Sequence, residues 1–176
     1  MISPIFRGVA GIVLLALAAT TAMAQESTNR VAAKTDWFVF VEDSPKECWI
    51  VSPNTESVNT RDGRVVSVRR GKIRLFVTFR PGAGVKGEVS FTGGYPFAKG
   101  STVEMDIDGA KYELFTEGEW AWAASPADDV KITNAMKRGA KAILTARSQR
   151  GTITKDTFSL LGFTAAMAEA EARCGG

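Results

Sequence analysis

The stretch Ser101–Phe115, "STVEMDIDGAKYELF", decides the fold. Asp108-Gly109 is a two-residue turn signal able to take the positive backbone angles of a type I′ turn, whose twist suits two antiparallel strands. Such a turn sets Ile107 opposite Ala110, Met105 opposite Tyr112 and Val103 opposite Leu114. Because side chains alternate across a strand, all six share one face. Glu104, Asp106, Lys111 and Glu113 fall on the other. One face is apolar and the other wet, as in an antiparallel sheet lying on a core.

The same pattern repeats in both directions along the chain. Apolar, β-branched and aromatic runs follow one another as "DWFVFVE", "ECWIVS", "GRVVSVRR", "KIRLFVTFR", "VKGEVSFTG", "AKYELFT", "GEWAWAA", "KAILTARS" and "TITKDTFSLL". In "KIRLFVTFR", Ile73, Leu75, Val77 and Phe79 alternate with Lys72, Arg74, Phe76, Thr78 and Arg80, the period of a half-buried strand. "RPGAGVKG" and "TGGYPFAKGS" break the chain with glycine and proline and read as loops. So many short strands imply a mainly β fold, a two-sheet antiparallel β-sandwich.

Two stretches have helical signals instead. A short helix near 126–138 has Ser125 as N-cap, Pro126 at its first position and Asp128 and Asp129 in its first turn. Lys137 and Arg138 stand in its last turn, with Gly139 as the stop. A C-terminal helix near 163–174 gathers Phe163, Ala166, Met167, Ala170 and Cys174 on one stripe, while Glu169, Glu171 and Arg173 point elsewhere. A helix so short is marginal alone and must be held by tertiary contacts.

The N-terminal end has the form of a secretory signal peptide over residues 1–24. Arg7 precedes an apolar run from Val9 to Ala19, and Ala22-Met23-Ala24 forms the cleavage site before Gln25. The run is well short of the roughly 20 residues of a spanning helix, so no transmembrane segment is expected in the mature chain. Residues 25–35 are polar and read as a flexible leader. Residues 36–176 are long enough for one domain with its own core. Taking Arg7 from the 22 basic residues against 19 acidic leaves a surplus of two. Nothing in that balance favours nucleic acid as a partner.

Two cysteines in an exported chain offer one intramolecular pairing, Cys48 with Cys174, which would clip the last helix to an early strand. The alternatives are two buried thiols, or a free thiol that pairs with another chain. The sequence has no histidine. That removes Ser-His-Asp and Cys-His nucleophilic sites, histidine metal sites and the commonest general acid and base. With no catalytic motif either, the expectation is a non-enzymatic protein without metal or cofactor.

These features together resemble the invasion-associated locus B family of exported Gram-negative proteins. The resemblance rests on the leader, "DWFVFVE" followed by "KECWIV", the acidic-then-basic "ADDVKITNAMKRG", and above all the ending "FSLLGFTAAMAEAE". It spans Asp36 to Cys174. It implies a β-sandwich of the periplasm or cell surface, acting by surface contacts on an envelope or host-facing protein or glycan, and implies no chemical activity. Many members carry a cysteine four positions after the opening tryptophan, where this chain has Val41. The departure implies that one family disulfide is missing here.

Three sets of residues are candidates for function. Arg69, Arg70 and Arg74 belong to the basic segment "RDGRVVSVRRGKIRLFVTFR", a possible anion-binding stripe or else a solvated edge. Trp120 and Trp122 share one strand face. With Tyr95 and Phe97 they form either a sugar-stacking platform or part of the core. A hydrolytic reading has only carboxylates to use, Glu117 with Glu119 or Asp106 with Asp108, all at turns or edges. Burial of both indoles between sheets would remove the platform.

Overall fold

The computed structural model of the protein describes residues 28–175. The expected signal peptide therefore lies outside the described residues. Strands β1 (Arg30–Lys34), β2 (Trp37–Asp43), β3 (Lys46–Pro53), β4 (Glu56–Arg61), β5 (Arg64–Val65), β6 (Arg74–Arg80) and β7 (Val85–Thr92) form the first half. Then come β8 (Thr102–Ile107), β9 (Ala110–Glu117), β10 (Trp120–Ala123), helix α1 (Pro126–Arg138), β11 (Lys141–Arg147), β12 (Ile153–Ser159) and helix α2 (Phe163–Cys174).

The fold is mainly β with one short and one C-terminal helix, as the periodicities imply. Its strands hydrogen-bond in the order β1-β2-β3-β6-β7-β10-β9-β8-β11-β12-β4-β5, with antiparallel pairing throughout. The two layers expected of a sandwich are thus one continuous sheet, curled over a single core. The joint is the run from β3 into β4. Asn54 and Thr55 carry the chain from the side of β6 to the side of β12, and the Thr55 N–H donates to the Thr157 carbonyl at 2.7 Å. Curling sets Phe158 of β12 edge-on to Phe91 of β7, with centroids 6.0 Å apart.

The β8–β9 hairpin has the register read from its turn: Ile107 faces Ala110, Met105 faces Tyr112 and Val103 faces Leu114. Asp108 and Gly109 both take positive φ. Val103, Met105, Ile107 and Leu114 are core residues. In α1 the Ser125 hydroxyl accepts from the Asp128 N–H at 3.2 Å. The helix ends at Gly139, whose backbone is extended and not left-handed, and a Cβ there would lie 2.7 Å from Ile107 Cγ2.

Helix α2 buries the stripe Phe163, Ala166, Met167, Ala170 and Cys174. It packs on β1, β2, β3 and β6, and Phe163 meets Trp37 edge to face at 4.9 Å. Gly162 begins the helix at φ 87°, and a Cβ there would lie 1.9 Å from the Lys34 carbonyl oxygen. Only glycine lets α2 and β1 approach this closely.

Two local expectations change, and one strand has no counterpart in the sequence pattern. Arg30–Lys34, inside the expected leader, pairs with β2 as a strand. The polar segment Glu56–Arg61 is also a strand, because β12 supplies its hydrogen-bonding partner. "GRVVSVRR" contributes only the two residues of β5, and Val65 is 76% exposed.

Candidate functional site

Strand β10 alternates Ala121 and Ala123 with Trp120 and Trp122. The alanines point into the core and the indoles point out. On that inner side α1 packs against β7 and β10, with Ile132 and Met136 buried in the same core. The indoles are therefore not core residues, and the burial that would remove the platform does not occur.

Cross-strand register extends this outer face. One row runs Phe38, Val51, Phe76, Ser90, Trp122 and Phe115 across β2, β3, β6, β7, β10 and β9. The next row is Arg74, Thr92, Trp120 and Glu117. Trp120 stacks near Trp122 at 6.3 Å and 25°, and Trp122 stacks on Phe115 at 5.5 Å and 28°. Phe76 leans on Trp120 at 5.6 Å. Further along, Phe40 and Trp49 stack at 5.4 Å with parallel planes. Trp120 is 39% and Phe115 46% exposed. A shallow groove of about 290 Å³ between Trp49, Phe76 and Trp120 is edged by Glu42 and Glu47. Tyr95 and Phe97 do not belong to this face. Phe97 is buried against Phe91, and Tyr95 contacts Phe97 at the end of the core.

The three arginines do not form one stripe. Arg74 lies in the outer aromatic face, its Nη1 donating to the Ile73 carbonyl at 2.9 Å. Arg69 is exposed at the end of the sheet. Arg70 turns inward. Its guanidinium makes a two-pronged bond to the Asp156 carboxylate, Nη1 to Oδ1 at 2.8 Å and Nη2 to Oδ2 at 2.5 Å. It also donates to the Gly93 carbonyl and to Asn59 Oδ1. The side chains of Arg70 and Asp156 are 7% and 0% exposed. The pair is a buried staple between β12 and the loops after β5 and β7, and Arg70 has no fork left for a ligand.

Asp156 was legible in principle: in "TITKDTFSLL" the parity that sends Phe158 inward sends Asp156 inward too. A lone acid at such a position requires a buried cation.

Tyr95 lies beneath this staple. Arg70 Cζ is 5.0 Å from its ring centre, and its hydroxyl pairs with Thr154 Oγ1 at 2.5 Å. Burial pushes its hydroxyl up from the ordinary 10.0 to about 12, with the Thr154 bond and the Arg70 charge opposing the rise. The neutral phenol is the form the fold favours. Its contribution to stability is complete below pH 10 and is lost as pH rises toward 12. Absorbance titration at alkaline pH should show a tyrosine step near pH 12 that vanishes in Tyr95→Phe. A Tyr95 step at its ordinary value would contradict the buried placement.

The carboxylate pairs serve turns. Asp106 Oδ1 accepts from the Gly109 N–H at 2.8 Å and Asp108 Oδ2 from the Ala140 N–H at 2.8 Å. Glu117 and Glu119 flank the exposed turn at Gly118. Cys48 and Cys174 are joined as a disulfide, their Cα atoms 5.9 Å apart. Among the described residues no helix is long and apolar enough to cross a membrane.

Comparison with known proteins agrees with this architecture. No curated protein matches the chain. Among solved structures, the crystal structure of invasion associated protein B from Bartonella henselae is similar, with a TM-score of 0.56 at 15% identity. The match covers 80% of this chain and 95% of that one, and at this identity it shows a shared fold. The family model described as invasion associated locus B (IalB) protein matches residues 37–171, from the first residue of β2 to within α2. With most of the sequence under that match and the fold in agreement, the chain belongs to the invasion associated locus B family.

Proposed function

We propose that this protein is an exported, non-enzymatic binding protein of the bacterial envelope, and that its outer aromatic face holds a glycan. The observation that supports the reading is the row of stacked rings Phe115, Trp122 and Trp120, of which Phe115 and Trp120 are exposed, with the groove lined by Trp49, Phe76 and Trp120 beside it. Aromatic faces carry a negative quadrupole and attract the weakly positive C–H groups on the flat faces of sugar rings. Glu42 and Glu47 stand at the groove's edge, where sugar hydroxyls can donate to them. A protein–protein contact would use the same rings, but a shallow open groove with carboxylates among its lining suits a chain of pyranoses better than a side-chain knob. Lack of histidine and the use of Asp106 and Asp108 in turns support binding rather than catalysis.

Titration with a linear N-acetylglucosamine tetramer, followed by tryptophan fluorescence, and co-sedimentation with purified peptidoglycan sacculi test the proposal. Trp120→Ala and Trp122→Ala each remove one stacking surface, about 1 kcal/mol, so each should weaken retention about fivefold and the pair more than tenfold. Retention on sacculi that survives the double substitution unchanged would rule out the aromatic face as the site.

A further inference from the structure

A second site lies at the end of the sheet, where the connections β5–β6, β7–β8 and β11–β12 meet. They enclose a cleft of about 540 Å³ whose charged side chains are Arg61, Arg69, Arg70, Arg150 and Glu119. Arg70 is neutralised by Asp156. Among the described residues, Arg61 donates only to a neutral partner, the Thr152 hydroxyl, at 2.7 Å. Among the described residues, neither Arg69 nor Arg150 pairs with a carboxylate, and both are exposed at the rim. Three uncompensated guanidiniums thus face one carboxylate.

The walls are held in place. The Gly71 N–H donates to the Gly94 carbonyl at 2.8 Å, in a crossing so close that a Cβ on Gly94 would lie 2.6 Å from the Gly71 backbone. The Gln149 N–H donates to the Pro96 carbonyl at 2.9 Å, and the Ser148 N–H to the Thr152 carbonyl at 2.8 Å. The buried Arg70–Asp156 pair fixes the root of Arg69. A cleft tied by its own backbone loses little entropy when it binds.

We infer that this cleft binds a phosphate monoester. Guanidinium forks match phosphate oxygens in geometry, and the surplus of two positive charges matches a dianion. The volume exceeds that of bare phosphate, so the group it fits carries an organic substituent. The site is separate from the aromatic face and goes beyond the glycan reading. Its own failure would leave that reading standing.

Calorimetric titration with glucose 1-phosphate, with glucose as the neutral control, tests it for a soluble ester. Flotation with phosphatidylcholine vesicles containing or lacking phosphatidic acid tests it for a lipid headgroup. Arg69→Gln/Arg150→Gln should weaken whichever ligand binds by at least about tenfold, with unchanged thermal midpoint because both side chains are exposed. Arg74→Gln, outside the cleft, should leave binding intact. Binding by vesicles alone, lost in the double variant, supports the site and assigns its ligand to lipid. The inference is overturned if neither probe binds saturably, if the double variant binds as the wild type does, or if Arg74→Gln weakens binding equally.

Discussion

Breaking the Cys48–Cys174 bond, by reduction or as Cys48→Ser/Cys174→Ser, is expected to lower the unfolding free energy by about 5 kcal/mol. The bond closes a loop with a sequence separation of 126, and loop closure of that length removes a large entropy from the unfolded chain. A loss of this size rivals the whole stability of many domains, about 5–15 kcal/mol. Its local effect should fall on α2. Phe163 remains anchored against Trp37, but the last turn of the helix has Cys174 as its buried contact. Urea unfolding of the oxidised and reduced protein measures the difference, and hydrogen exchange in residues 168–175 locates it. A loss below about 2 kcal/mol would mean that packing of α2 alone supplies most of the closure, contrary to the chain-entropy account.

Replacing Arg70 with methionine should destabilise the fold by about 3–5 kcal/mol, because it leaves the Asp156 carboxylate buried without a counter-charge. The Ser57 hydroxyl also bonds that carboxylate, but a neutral hydroxyl does not offset a buried charge. Asp156→Leu strands the guanidinium in the same way. Combining Arg70→Met with Asp156→Leu should recover most of the loss, since two apolar groups of similar size need no partners. The cycle is read from urea midpoints at constant m-value. If Arg70→Met alone costs under about 1 kcal/mol, the pair behaves as a surface bridge and its buried placement is wrong. Both outcomes bear on the cleft, because Arg70 holds the segment that presents Arg69.

Local pattern revealed much of this molecule, and the places where it fell short share a cause. The β8–β9 register, both helix spans and the buried stripe of α2 follow from turn chemistry, capping residues and period, which act over a few residues. Strands β1 and β4 were hidden because "RVAAK" and "ESVNTR" carry few large apolar side chains. They are strands because β2 and β12 offer them a free edge. Conversely, the β-branched residues Val65, Val66 and Val68 suggested a strand where, among the described residues, none continues beyond β5.

The candidate sites divide in the same way. That Trp120 and Trp122 share a face was fixed by the two-residue period of a strand, whereas the choice of face is seen only in the tertiary structure, where Ala121 and Ala123 take the core side. That Arg69 and Arg70 are adjacent cations was plain, but adjacent residues in an extended segment point opposite ways. Arg70 met Asp156, which stands 86 positions later, while Arg69 was left at the cleft.

By itself the sequence determined the class of fold, the single pairing available to its two cysteines and the absence of histidine chemistry. Each of these rests on composition or on forces between near neighbours. Only the tertiary structure decided that the sheet is continuous, which side of it the indoles occupy, and which arginine is spent on a buried acid. Those depend on how a curled sheet brings distant strands together, and no short-range period encodes that closure.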